Sequence, residues 1–210
     1  MNRISRRQAM VVAVSAVSFA VLAGQPVLVR QALAADFPAA AQAFIERSAA
    51  QARSEAPQAK ASGDARVRFA RLFAQSFDVD ALARATLGSR WTALNPTQQR
   101  EFRTAFEAYV AKAYADRFYT YAGQPMTVVA AEPAANGQVL VRTRVQMPGS
   151  ANQTPVDWQV SQIAGAPRIS DVTIDGVSLI RTQRDEFASV IQANGGDVTK
   201  LTAMLEQRSR

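Results

Sequence analysis

Between Ile169 and Phe187 the side-chain period of the chain changes once, and that change limits the folds open to it. Val172 and Ile174 alternate with Asp171 and Thr173, as in a strand with one buried face. Leu179, Ile180, Arg184 and Phe187 then recur at helical spacing. The switch falls at Asp175-Gly176, a turn dipeptide: glycine accepts positive φ at little cost, and aspartate bonds nearby amides. A strand that runs directly into a helix needs neighbours for its edges and an apolar surface for the helix, and the upstream chain must supply both.

It does so in order. Residues 36–54 read as a helix with Phe37, Phe44 and Ile45 on one side, followed by a looser stretch over 55–63 that contains Pro57 and Gly63. A second helix over 64–76 gathers Phe69, Leu72, Phe73 and Phe77; Asp78 then caps a third, which Gly88 ends. Asn95-Pro96-Thr97-Gln98 starts the longest helix with a capping box and proline in the first turn. That helix runs to about Tyr121, with Phe102, Phe106, Tyr109, Val110, Ala113, Phe118 and Tyr121 on a broad apolar face. Four strands are expected to pack against that face, over 126–132, 138–147, 155–163 and 168–174. Two helices, over 178–193 and 197–207, follow and are divided by Asn194-Gly195-Gly196. The expected fold is α+β: a four-stranded antiparallel sheet covered on one face by N-terminal and C-terminal helices, in a single domain over 35–210.

Residues 1–34 read as a leader. Arg3, Arg6 and Arg7 precede an apolar run from Ala9 to Gly24, and Ala32-Leu33-Ala34 offers a small-x-small cleavage pattern. At 16 residues with two serines, the apolar run is short for a membrane span of about 20 residues, so a cleaved export signal is preferred to an anchor. Arg6-Arg7 resembles a twin-arginine signal, with Ala9 where that pattern usually has phenylalanine. The chain has no cysteine, which removes disulfides and a lipid-modified amino-terminal cysteine from the account. The mature protein is expected in the periplasm.

Charge and residue types narrow the chemistry. The chain carries 24 basic and 17 acidic residues; removing Arg3, Arg6, Arg7 and Arg30 with the leader leaves a net charge of +3. So mild a bias gives little support for nucleic-acid binding, which usually shows as a concentrated basic stripe. Histidine is absent as well as cysteine, so Ser-His-Asp and Cys-His sites and the usual zinc, haem and copper ligands are missing. No metal or cofactor is expected. Asp157, Asp171 and Asp175 leave a carboxylate-based reaction open, but alternation turns the first two to water and the third belongs to the turn. A non-enzymatic role is favoured.

One family fits this pattern over roughly two thirds of the chain. Its marks are Phe77-Asp78, Ala83-Arg84, Leu87-Gly88 and Trp91; the segment from Leu94 to Gln99 with Phe102, Phe106 and Tyr114; Tyr121-Ala122-Gly123-Gln124; and Asp171-Val172, Asp175 to Leu179, Arg184 and Phe187. In their order and spacing these resemble the MlaC, or Ttg2D toluene-tolerance, family of periplasmic lipid carriers. Pro167 and Gln183 depart from it, standing where relatives often have tryptophan and tyrosine.

The resemblance implies a deep apolar pocket for the tails of a glycerophospholipid, with the head group outside. It also implies exchange between an outer-membrane lipoprotein complex and an inner-membrane ABC transporter bearing an MCE-domain ring. Lipid is then cargo, and the carrier is expected to be a monomer without cofactor. A related branch is linked to hopanoids, which stand as the alternative ligand; an exported enzyme of similar fold and a scaffold without ligand are the competing classes. Candidate pocket residues are Phe106, Tyr109, Val110 and Ala113 on the long helix, Val141, Val145, Trp158, Val160, Val172 and Ile174 on the sheet, and Leu179. Amphipathic periodicity by itself reads the same for a pocket wall and a packed core.

Overall fold

The computed structural model describes residues 25–210, with side chains from Asp36 onward. The chain divides into two units, residues 1–34 and 35–210, and the sheet with its covering helices belongs to the second. The expected leader lies outside the described residues for its first 24 positions and outside the described side chains throughout. Among the described residues no helix is long and apolar enough to cross a membrane.

Helix α1 (Gln25–Ser62) does not loosen after residue 54 as its composition suggests; it continues through Pro57. A proline inside a helix removes one backbone hydrogen bond and crowds the preceding turn. Packing offsets this, because Ala56 and Ala59, on either side of the proline, are buried in a cluster with other helices and are each 5% exposed or less. Helix α2 (Ala65–Ser76) buries Phe69, Leu72 and Phe73, and the chain then extends at Phe77. There it touches the sheet: Phe77 forms a parallel bridge to Ile169, and the Asp78 amide donates to the Ile169 carbonyl at 2.9 Å. The Asp78 carboxylate accepts from Ala81 N at 3.0 Å and so caps α3 (Val79–Leu87). Gly88 ends α3 at φ 58° and ψ −131°, a region closed to L side chains, with the Arg184 guanidinium lying where a Cβ would project.

A 3₁₀ segment (Gly88–Ala93) leads to α4 (Pro96–Ala122). The capping box is complete: the Asn95 side chain accepts from Thr97 N and Gln98 N, and the Gln98 side chain accepts from Asn95 N. The buried face differs from the one expected. Ala113 and Tyr121 are exposed, whereas Tyr119 is 1% exposed. The partner differs too, since most of this face packs on other helices rather than on the sheet. Phe102, Phe106, Ala111 and Tyr119 share a cluster with Phe69 and Phe73 of α2, with Phe187 of α5 (Leu179–Ala193) and with Leu201 and Leu205 of α6 (Val198–Ser209).

The sheet is antiparallel, in sequential order, with five strands in place of the expected four: β1 (Met126–Pro133), β2 (Val139–Gln146), β3 (Gln153–Ile163), β4 (Ala166–Ile174) and β5 (Val177–Ser178). The extra strand is a two-residue return across the Asp175-Gly176 turn, both of whose residues have positive φ. On β2 the buried Val139, Val141, Thr143 and Val145 alternate with exposed Arg142 and Arg144, so one face is covered and the other is wet. The cover begins with α1, whose Phe37, Ala41 and Ile45 cluster with Val141, Val160, Ile169 and Val172. The residues 35–210 thus hold two apolar clusters, one among the helices and one on the sheet.

A polar clasp ties α1, α2 and α4 together. The Tyr119 hydroxyl donates to Glu55 Oε2 at 3.4 Å, and Arg71 lies 3.6 Å from the same oxygen. Burial, reinforced by the Glu55 carboxylate, pushes the Tyr119 phenol up to about 12. Its ordinary value is about 10, so folding favours the protonated form; that contribution is whole below pH about 10 and is lost as pH rises through about 12. The urea midpoint should therefore fall across this window, and fall less steeply in Tyr119→Phe. Parallel curves for the two proteins would show that the phenol does not ionise against the fold.

Candidate lipid-binding site

Between the two clusters lies a cavity of about 400 Å³. Its walls come from α1, α2, α4, the sheet and the start of α5. On α4 the lining residues Phe106, Val110, Tyr114, Arg117, Phe118, Tyr121 and Ala122 form a helical stripe. From Phe106 to Tyr121 that stripe extends about 22 Å at 1.5 Å per residue. Facing it are short side chains, Ala49 and Ala52 on α1 and Val145, Val156 and Val172 on the sheet. These cannot reach across. The phenylalanines pack on one another along the wall, Phe69 against Phe118 with centroids 4.9 Å apart and against Phe73 at 5.9 Å. Space is left where the large residues pair sideways and face alanine and valine.

Several polar groups in the wall have partners. The Trp158 indole donates to Thr143 Oγ1 at 3.1 Å, and Thr143 Oγ1 donates to the Val156 carbonyl at 2.6 Å, which leaves the ring to serve as apolar lining. Gln183, 5% exposed, donates to Glu186 Oε2 at 3.0 Å and accepts from the Tyr114 hydroxyl at 3.5 Å. Burial raises the Tyr114 phenol above its ordinary value. Asp171 does not simply face water as its alternation suggests. It accepts from Val172 N at 2.7 Å, from Ile180 N at 3.3 Å and from the Ser178 hydroxyl. Ser178 Oγ in turn caps the first turn of α5 by accepting from Arg181 N at 3.1 Å. The carboxylate thus ties β4 to the start of α5, where backbone amides favour negative charge.

Of the sequence candidates, Phe106, Val110, Val145, Trp158, Val172, Ile174 and Leu179 line this cavity together. Four lie elsewhere. Tyr109 turns to Phe187, centroids 6.2 Å apart; Ala113 is exposed; Val141 and Val160 are fully buried in the sheet cluster. The α1 and α2 wall falls wholly outside the sequence candidates, including Ile45, Ala49, Ala52, Phe69, Leu72, Phe73 and Phe77. The α2 face is legible as an amphipathic stripe, but nothing in its spacing tells a wall from a lid. The alanines of α1 carry no such signal. Met126 and Met147, at the strand ends, complete the lining near the exposed Arg53, Arg117 and Tyr121, where the cavity reaches solvent.

An α+β layer pair that holds an apolar cavity open between its sheet and its helices is a receptacle for an apolar molecule. The chain belongs to the MlaC family, which residues 42–207 match. Toluene tolerance protein ttg2D of Pseudomonas putida is 25% identical over 134 residues, a match spanning 62% of this chain and 60% of that relative's length. Among solved structures, a phospholipid-binding protein from Ralstonia solanacearum, in complex with a phospholipid, has a TM-score of 0.67 and 23% identity, and the match covers 80% of this chain and 96% of that one. That likeness shows the shared α+β fold.

Proposed function

We propose that this protein is a periplasmic carrier that holds the acyl tails of a glycerophospholipid in the cavity. In this reading it passes the lipid between an outer-membrane lipoprotein complex and an inner-membrane ABC transporter with an MCE-domain ring. The observation that carries the reading is the apolar cavity of about 400 Å³ in a chain of the MlaC family. The cavity opens to solvent, so without a guest its apolar lining meets water, and at roughly 25 cal/mol per Å² covering that lining favours an apolar guest.

The guest gains as well. Two acyl chains hold about 30 methylenes, whose exposure at about 0.8 kcal/mol each costs more than 20 kcal/mol, so unassisted passage across an aqueous gap is very slow. A carrier needs only to match the bilayer, because one that held lipid far more tightly could not release it. Support for the periplasm comes from the leader pattern in residues 1–34, and support for a phospholipid from the ligand of the Ralstonia structure.

Organic extraction of the protein purified from its native envelope, followed by mass spectrometry, tests the proposal. Glycerophospholipid at about one molecule per chain is the expected result. Recovery of hopanoid instead would change the cargo, and recovery of no lipid would leave a scaffold without ligand.

A further inference from the structure

Three side chains that line the cavity carry formal charge: Arg53, Arg117 and Asp171. Asp171 is occupied by two backbone amides and the Ser178 hydroxyl. The two arginines are not so held. Arg53 makes one long contact, 3.5 Å to the Gln124 carbonyl, and no carboxylate lies within ion-pair distance of either guanidinium among the described residues. Other exposed arginines, such as Arg90 and Arg144, also have no carboxylate partner among the described residues; Arg53 and Arg117 differ from them in lining the cavity.

Their placement adds to this. Arg53 stands one helical turn beyond Ala49 on α1, and Arg117 one turn before Tyr121 on α4, so each guanidinium adjoins an apolar lining position on its own helix. Both side chains are exposed and therefore keep their hydration cost low. Arg117 lies about 16 Å along α4 from Phe106, one turn short of the exposed Tyr121 where the cavity reaches solvent. Guanidinium donors at the wet end of an apolar slot match a phosphate diester at the end of two hydrocarbon tails.

We infer that Arg53 and Arg117 form a phosphate-binding rim on the cavity that selects lipids with a net negative head group over zwitterionic ones. The inference rests on the carrier reading and specifies its substrate class. The ligand is the phosphate of a lipid and not free phosphate, because the rim is continuous with the apolar lining that takes the tails. A phosphatidylglycerol keeps its full negative charge at the rim, whereas the ammonium of a phosphatidylethanolamine cancels it and meets two like charges.

The test loads the purified protein from vesicles of equimolar phosphatidylglycerol and phosphatidylethanolamine and reads the bound ratio by mass spectrometry. The wild type should enrich phosphatidylglycerol roughly tenfold, the scale of two exposed charge-assisted contacts. Arg53→Gln and Arg117→Gln should each lower the enrichment, and the double variant should return it to the vesicle ratio. Circular dichroism melts confirm that these surface changes leave the fold intact. Inorganic phosphate at matched ionic strength should not move the wild-type ratio. Enrichment that survives in the double variant, or that inorganic phosphate abolishes, overturns the inference. So does a wild type that binds lipid at the vesicle ratio, which leaves the carrier reading standing; a wild type that takes up no lipid defeats both.

Discussion

Phe187→Ala should destabilise the protein by about 3 to 5 kcal/mol, read from urea denaturation at neutral pH. Phe187 is 2% exposed and is the ring on which the helical cluster converges. It stands edge-on to Phe102 at 6.1 Å and to Phe106 at 6.3 Å, and tilts against Tyr109 at 6.2 Å. Truncation removes the buried area and the edge-to-face pairs together and leaves a void that three aromatic neighbours are too rigid to close. A domain typically has about 5 to 15 kcal/mol in all, so the variant should be partly unfolded well below the wild-type midpoint. Phe187→Leu should recover more than half of the loss. A cost below about 1 kcal/mol would mean that α5 is held by its strand connection and not by this ring.

A second pair of substitutions separates cavity from core. Ala52 and Ala105 are both buried alanines on helices, at 4% and 3% exposure, but Ala52 lines the cavity and Ala105 sits inside the helical cluster. Ala105→Trp must displace packed side chains and should cost about 3 kcal/mol or more. Ala52→Trp can place its indole in existing space. It should change stability by less than about 1 kcal/mol and reduce bound lipid several-fold, as read by extraction and mass spectrometry. Equal destabilisation by the two would show that the space beside Ala52 closes in solution.

The order of elements is legible because each boundary rests on local chemistry: Asn95 and Gln98 at the start of α4, Asp78 before α3 and Gly88 after it, and Asp175-Gly176 between strand and helix. Alternation on β2 and β3 likewise marks the covered face of the sheet. What is not legible depends on small residues and on partners distant in sequence. Ala56 and Ala59 carry α1 past Pro57 only because other helices bury them. The pattern of α4 suggests a sheet-facing helix because hydrophobic periodicity tells which side is apolar, not what covers it; Phe187, Leu201 and Leu205 take most of that side. Tyr109 and Val110 are neighbours in sequence, yet only Val110 lines the cavity, a rotation of about 100° that periodicity alone does not resolve.

The division of the interior into two clusters leaves them joined at few places. Ala56 and Ala59 of α1 join helices α2 to α6 in a nucleus around Phe102 and Phe187, and the valines of the sheet keep theirs beneath Phe37 and Ala41. Phe77, in the extended step between α2 and α3, is the partly buried residue that packs against both. Helix α1 takes part in both, through Ala56 and Ala59 in the first and Phe37, Ala41 and Ile45 in the second. A change in the width between the two nuclei must therefore be taken up along that one helix and at the Phe77 bridge to Ile169.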